Sequence, residues 1–518
     1  MTLQADYDRA VAAHRRGELG EAERLYRRLL ETAPSSVAAR HMLGVLRAQS
    51  GDTEEALALM GAALRSKPDA PDILFNYGKV LRDAGRLDEA LDAYERALSI
   101  KPDYAAARIA RAEVLNLKGN SLREAGQPAQ ALSCYDQALA DAPNYPDAMN
   151  NRATVLWGLG RFEEALAEFD AVLAIKPDYV EAHYNRGNVL RDLLRLEEAK
   201  QSFDRAIAID PAFAPAYRNK GFCALQQGDF AQGLPLYEWR KRLSPAIEAR
   251  SYPQPLWTGA EDIKGKTIFA YIEQGLGDTI QFYRFVSPLL ARGARVVLSV
   301  QDGLLRLLEH AAPRVELAGT NAVPASFDYH IPLTSLPLAL GLTVESIPEP
   351  GPYLTADPIK AAQWGDRIGK KGFKIGISWQ GARAGVTSRS MPLEHFRNLS
   401  RIPGVRLISL QKGFGSEQLA GQSWVEILEG LDRGPDAFLD SAAAITNLDL
   451  VITLDSALAH LAGALGRPVW IALKQVPDWR WFLGRNDSPW YSSMRLFRQA
   501  REGDWAGVFA EMESQVPQ

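Results

Sequence analysis

Cysteine is almost missing from this chain: Cys134 and Cys223 are the two among 518 residues. Both fall at apolar positions of helical patterns, so buried thiols are expected and a disulfide framework is not. No run of about 18 uninterrupted apolar residues occurs, and no membrane span is expected. The opening residues, MTLQADYDRAVAAHRRGELGEAE, read as amphipathic helix without the apolar core of a secretory signal. A net charge of −4 leaves no basic footprint for nucleic acid. A cytoplasmic protein is expected. The second half lacks any His/Asp/Glu cluster with ligand spacing, and no Asp-x-Asp stands at a strand end, so neither metal nor bound cofactor is expected.

What is present is a period. Prolines stand at 34, 68, 102, 143, 177 and 211, at intervals of 34, 34, 41, 34 and 34 residues. A 34-residue self-similarity is the signature of tetratricopeptide (TPR) repeats, each two helices and a turn. The turn recurs as Gly17, Gly51, Gly85, Gly126, Gly160 and Gly228, with Leu194 in the sixth unit. Five residues on stand Ala22, Ala56, Ala90, Ala131 and Ala165, with Gly233 in the seventh. Small residues there let paired helices approach, and Tyr26, Tyr94, Tyr135, Phe169 and Phe203 fill the space between them. The 41-residue interval holds seven extra residues, or two helical turns, so a longer helix keeps its apolar face in register. An array of six repeats and a partial seventh is expected over 1–243.

One position of the first helices reads Met42, Asn76, Leu117, Asn151, Asn185 and Asn219. First-helix faces line the inner groove of such superhelices. Burying asparagine is costly, whereas an exposed one both donates to and accepts from a peptide backbone. The ladder Asn76, Asn151, Asn185 and Asn219 therefore predicts sequence-tolerant gripping of an extended acceptor polypeptide; shared repeat ancestry is the plainer alternative.

Past a proline-rich connector (244–265) the rhythm changes to short β-branched runs alternating with helical patterns, which predicts parallel α/β sheets. Strands are expected at 267–272, 295–300 and 327–331 in one half (266–356). After a second connector (357–372), they are expected at 374–379, 406–411, 450–454 and 469–473 in another half (373–500). A C-terminal helix is expected within 501–518. Two doubly wound domains follow, with ligands at the strand carboxyl ends.

Three segments stand at such ends. Gln274-Gly275-Leu276-Gly277-Asp278 opens a helix after the first strand, where glycines admit close backbone approach and the helix start favours anions. Asp278 can act as a base there, or merely cap the helix in a box with Gln281. The third glycine of a dinucleotide fingerprint is missing, and no acidic ribose partner follows, so a dehydrogenase is poorly supported. Ser378-Trp379-Gln380-Gly381 leads into a polar loop with Arg383, Thr387, Ser388 and Arg389, and an arginine there suits a diphosphate. Thr453-Leu454-Asp455-Ser456-Ala457 runs from strand to helix, offering backbone N–H groups to a phosphate, with His460 one turn on. A lone histidine on an apolar helix is more often a satisfied core residue. Trp379, Trp479 and Trp481 can wall a pocket or serve as packing.

GLGD after the first strand, the arginine loop near SRSMPLEHF and TLDSALAHLAGALGRP together resemble the heptosyltransferase-like glycosyltransferases of the GT-B fold. Joined to the repeats, and with PDWRWFLGRNDSPWYSSMRLFRQ near the end, the chain resembles bacterial TPR glycosyltransferases, including flagellin-modifying ones. The asparagine ladder is similar to that of the O-GlcNAc transferases. The resemblance implies an all-α TPR superhelix followed by an α/β GT-B fold of two Rossmann-like domains. By position it makes Asp278 the catalytic base. Gly275, Gly277, Gln380, Arg389, Asp455, Ser456, Ala457 and His460 become donor-binding. Ala457 stands where that family usually has glycine. The implied reaction is inverting, metal-independent transfer from a nucleotide-sugar to a Ser or Thr of a protein in the groove, with flagellin the suggested acceptor. A non-catalytic TPR scaffold or chaperone is the alternative; a heptosyltransferase acting on lipid-linked sugar leaves the groove unexplained.

Overall fold

The computed structural model describes residues 3–243, 250–311, 314–348, 351–381 and 389–517. Its N-terminal part is a TPR superhelix of paired helices, from Leu3–Arg15 with Leu19–Thr32 to Ala214–Gln226 with Phe230–Tyr237 and the 3₁₀ turn Glu238–Arg242. The six turn glycines adopt φ between 72° and 83°, the left-handed region that side chains resist. Leu194 takes the same turn at φ 58°. Ala22, Ala56, Ala90, Ala131 and Ala165 are fully buried where the helices of a pair cross. On the partner helix, a Cβ on Gly78 would lie 2.7 Å from the Tyr94 ring, and one on Gly119 would lie 2.5 Å from the Tyr135 ring. The seven extra residues lengthen one helix, Ala105–Glu124, to 20 residues where Pro71–Asp83 and Pro146–Gly158 each have 13. Cys134 and Cys223 are buried free thiols.

Two parallel sheets follow. The first holds β1 (Thr267–Tyr271), β2 (Arg295–Ser299), β3 (Glu316–Ala318) and β4 (Tyr329–Pro332) in the order β3-β2-β1-β4. The second holds β5 (Phe373–Ile377), β6 (Val405–Ser409), β7 (Val425–Ile427), β8 (Leu450–Leu454), β9 (Val469–Leu473) and β10 (Met494–Arg498) in the order β10-β9-β8-β5-β6-β7. The ten strands pair with one another in parallel throughout, with Phe269 opposite Val297 and Ile377 opposite Ile452. β8 and β9 are buried at all five positions, as strands covered on both faces must be. Read from β7 to β10, the second sheet has the 3-2-1-4-5-6 order of a doubly wound domain, and the first is its four-stranded abbreviation.

Three strands carry no clear sequence signal. β3 and β7 have three residues each, too short for a period, and β10, at the sheet edge, mixes three apolar residues with two arginines without a regular period. The expected connector 357–372 contains the helix Pro358–Ile368, started by Asp357, whose side chain accepts from the N–H groups of Ile359 and Lys360. The helix Trp505–Glu513 ends the chain. By packing, the chain divides into two compact units, Met1–Val189 and Leu190–Gln518, rather than at the connector near 244. The reason is a shared core: Leu225, Phe230, Leu234 and Tyr237 of the last helix pair pack in one cluster with Ile268 and Ala270 of β1 and with Trp479 and Trp490.

Candidate functional site

In each sheet the strand order reverses beside the first strand, between β1 and β4 and between β5 and β8. Ligands of open α/β sheets bind outside the strand carboxyl ends at such a reversal. The segments there are the loop 272–275 and the 3₁₀ turn Leu333–Ser335 in the first sheet, and 378–381 and 455–456 in the second. Two of the three sequence segments meet directly. A Cβ on Gly277 would lie 3.1 Å from Ala457 Cα and 3.1 Å from His460 Cδ2, so the glycine is what lets the helix Leu276–Phe282 touch the start of the helix Ala457–Ala464.

Asp278 is engaged through both oxygens. The Gly275 N–H donates to its Oδ2 at 3.0 Å. Arg480 Nη2 donates to its Oδ1. Asp278 is thus the third residue of its helix, capping back to Gly275, and not the first member of a box with Gln281. Gln281 Oε1 instead accepts from Arg480 Nε at 2.7 Å. Arg480 also donates to Asp478 Oδ1 at 2.8 Å. Burial works against the Arg480 charge, but Asp478 and Asp278 together raise its pKa above the ordinary arginine range. Arg480 and Asp478 belong to the site although no sequence motif marks them. Their one sequence signal is a pair of opposite charges set among Trp479, Trp481 and Phe482, which no local pattern turns into a site.

Asp455 follows β8 and accepts from Arg389 Nη1 at 2.7 Å. Burial pushes its carboxyl up to about 6, against the pull of Arg389 and with a contribution from Asp478. Ser456, in extended conformation, is the N-cap of the helix beginning at Ala457, and its hydroxyl lies 3.2 Å from Thr453 Oγ1. The first N–H groups of a helix have no partner within it, so this start can receive an anion. His460 is buried, stacked on Trp481 with centroids 5.3 Å apart, and its Nδ1 lies 3.0 Å from Tyr491 Oη. Burial, reinforced by Arg480 and Arg284, holds its imidazole well below the usual range. That is the geometry of a neutral, partnered core histidine beside the helix start.

The segment after β5 is tied down by Gln411. Its Oε1 accepts from Ser378 Oγ at 2.9 Å and from the Trp379 and Gln380 N–H groups at 3.0 Å each. Gln380 Oε1 is buried without a partner among the described residues. Arg383, Thr387 and Ser388 lie outside the described residues. Trp379, Trp479 and Trp481 are all buried, Trp379 donating to Gly415 O at 3.2 Å.

In the repeats, the expected ladder takes a form no single repeat reveals. Asn151 Nδ2 donates to Asn116 Oδ1 at 2.9 Å, Asn185 Nδ2 to Asn150 Oδ1 at 3.4 Å, and Asn76 Nδ2 lies 3.0 Å from His41 Nε2. Each rung reaches to the residue just before the corresponding position of the preceding repeat. Asn76, Asn151 and Asn185 are half-buried. Asn219 departs from the exposed reading: it is buried and accepts from Arg218 Nε at 3.1 Å. Its helix packs against the turn Glu238–Arg242.

Among the described residues, no group of three or more His, Cys, Asp or Glu is placed to hold a metal ion. No described helix is long and apolar enough to cross a membrane. Residues 2–37, 41–105 and 116–180 match one family model described as tetratricopeptide repeat, and 180–213 match another. The chain is 29% identical to Protein FlbA of Caulobacter vibrioides, over 54% of this chain and 51% of that protein. It is 26% identical to Protein O-mannosyl-transferase TMTC1 of Mus musculus, over 20% of this chain and 12% of that protein. The chain thus spans about half or less of these relatives. Among solved structures it is similar to YrrB, a TPR protein with an unusual peptide-binding site, at 25% identity and TM-score 0.30 over 37% of this chain and 95% of that one. The chain thus carries TPR repeats over its N-terminal part, followed by parallel α/β sheets.

Proposed function

We propose that the protein is a glycosyltransferase of the GT-B kind, moving a sugar from a nucleotide-sugar onto a Ser or Thr of a protein held by the repeats. The observation that carries this reading is the contact of Gly277 with Ala457 and His460. It brings a loop bearing a carboxylate against a helix start suited to phosphate, across two sheets that both present carboxyl ends. Asp278 would take the hydroxyl proton as the new bond forms. The Ser456–Ala457 helix start and Arg389 would stabilise the departing phosphate. A further support is the similarity over 20% of this chain to TMTC1, a protein O-mannosyl-transferase by name. Flagellin is the acceptor suggested by the sequence resemblance. Asp278→Asn is expected to lower transfer about 100-fold or more while the chain stays folded. Near-normal turnover in that variant would remove Asp278 as the base.

A scaffold that holds a protein partner without chemistry is the second reading. It is favoured by one observation: both Asp278 oxygens are already occupied, by the Gly275 N–H and by Arg480. Thermal shift against uridine, adenosine, guanosine and cytidine nucleotides separates the two. A nucleotide at 100 times its Kd stabilises by about 2.7 kcal/mol, and no shift from any of them favours the scaffold.

A further inference from the structure

We infer that the last helix pair of the array is a positioning clamp for Asp278 and Arg480, acting through Gln226, Tyr237 and Arg240; as a catalytic role it rests on the reading of Asp278 as the base. Asp278, in the first turn of the helix Leu276–Phe282, and Arg480, in the 3₁₀ turn Trp479–Trp481, are far apart in the chain, and the segments leading into both are held by the last helix pair and the 3₁₀ turn that follows it.

On the first loop, Glu273 and Gln274 join β1 to Gly275. Arg240 is completely buried and donates to Glu273 Oε2 from Nη2 at 2.6 Å and from Nε at 3.2 Å. Its Nη2 also reaches Thr334 Oγ1 at 2.8 Å and Ser335 Oγ at 2.7 Å, just after β4. Gln274 Nε2 donates to Tyr237 Oη at 2.6 Å. On the second loop, Gln226 Nε2 donates to Pro477 O at 2.7 Å, and the Leu483 N–H donates to Gln226 O at 3.1 Å. These two bonds bracket Asp478, Trp479, Arg480 and Trp481. Phe230 packs on Trp479 and Phe482 of this stretch and on Trp490.

A buried guanidinium and a buried carboxylate are tolerated only when their hydrogen bonds are met, so the Arg240–Glu273 link is stiff. A shift of the last helix pair therefore carries both loops, and with them the ion pair. Misplacement of a reacting group by about 1 Å can cost about 100-fold in rate. None of the three residues touches the Asp278 carboxylate, so their role is positional.

Removing Arg240 would strand Glu273 and risk unfolding. The test therefore uses two mild variants of the full chain, Tyr237→Phe and Gln226→Met, with two readouts. The first is hydrogen–deuterium exchange by peptide. Tyr237→Phe is expected to speed exchange in peptides covering 273–282 and Gln226→Met in those covering 477–483, with the rest of the chain unchanged. The second is transfer kinetics: kcat is expected to fall about tenfold with donor KM little changed, the mark of an interaction needed in the transition state. Unchanged exchange in both segments, or a rise spread over the whole chain, overturns the clamp. So does local loosening with wild-type kcat. If the unaltered chain transfers sugar from no nucleotide-sugar, the catalytic reading falls by itself, and the exchange pattern still decides whether the clamp exists.

Discussion

Asn151 and Asn116 belong to successive repeats, and the Nδ2 of the first donates to the Oδ1 of the second across 2.9 Å. Asn151 is therefore tied to the preceding repeat through one amide hydrogen, while its amide still has a carbonyl oxygen and a second hydrogen with which to form hydrogen bonds.

That arrangement predicts a stability cost separate from any loss of binding. Asn151→Ala leaves the buried Asn116 oxygen without its donor and is expected to cost about 1 kcal/mol. Asn185→Ala, whose bond is 3.4 Å long, should cost less. Urea midpoints of the two variants check the order. If both also leave binding of the acceptor protein untouched, the ladder serves the superhelix alone.

Leu194 holds a left-handed turn that glycine holds in the other repeats. A side chain there costs about 1–2 kcal/mol. Leu194→Gly is expected to raise stability by up to about 1 kcal/mol after the lost packing of a half-buried leucine is counted. Gly160→Leu should lower stability by a comparable amount. Thermal melting of both variants checks the pair.

A Cβ on Gly277 would be tight, with Ala457 Cα and His460 Cδ2 each 3.1 Å from where it would stand. Gly277→Ala requires these neighbours to give by a few tenths of an ångström and is expected to cost about 1 kcal/mol. Urea denaturation measures the loss. If the alanine variant is as stable as the parent, the contact between the first loop and the helix start is slack.

Two buried groups give opposite pH trends. His460 in the native protein stays neutral well below its usual range, whereas in the unfolded chain it takes up a proton near pH 6.5. Its contribution is therefore present above about pH 6.5 and lost as pH falls below it. Asp455, pushed up to about 6, works the other way. The native state holds the proton more tightly, so its contribution is present below about pH 4 and is lost as pH rises through about 6. The advantage of the parent over His460→Gln should narrow from about pH 7.5 to about pH 5, and the advantage of Asp455→Asn over the parent should grow from about pH 4 to about pH 6.5. Urea midpoints across that range check both slopes.

Periodicity was enough for the repeats because each turn and each helix face is specified by residues within a few positions of one another. Gly17 to Gly228 mark the turns, Ala22 to Ala165 the crossings, and seven added residues became two turns of the helix Ala105–Glu124. The strands with strong apolar runs were legible for the same reason, and β8 and β9 have the anticipated limits. The tertiary structure alone decided which residues meet. Asp278 pairs with Arg480, Gly277 abuts Ala457, Arg240 reaches Glu273, and Asn151 joins Asn116. Each of these contacts joins positions too far apart in the chain for local pattern to connect. The first three exist because the parallel sheets and the last helix pair pack around one core, which leaves no periodic trace in the order of the residues, and the fourth because successive repeats stack.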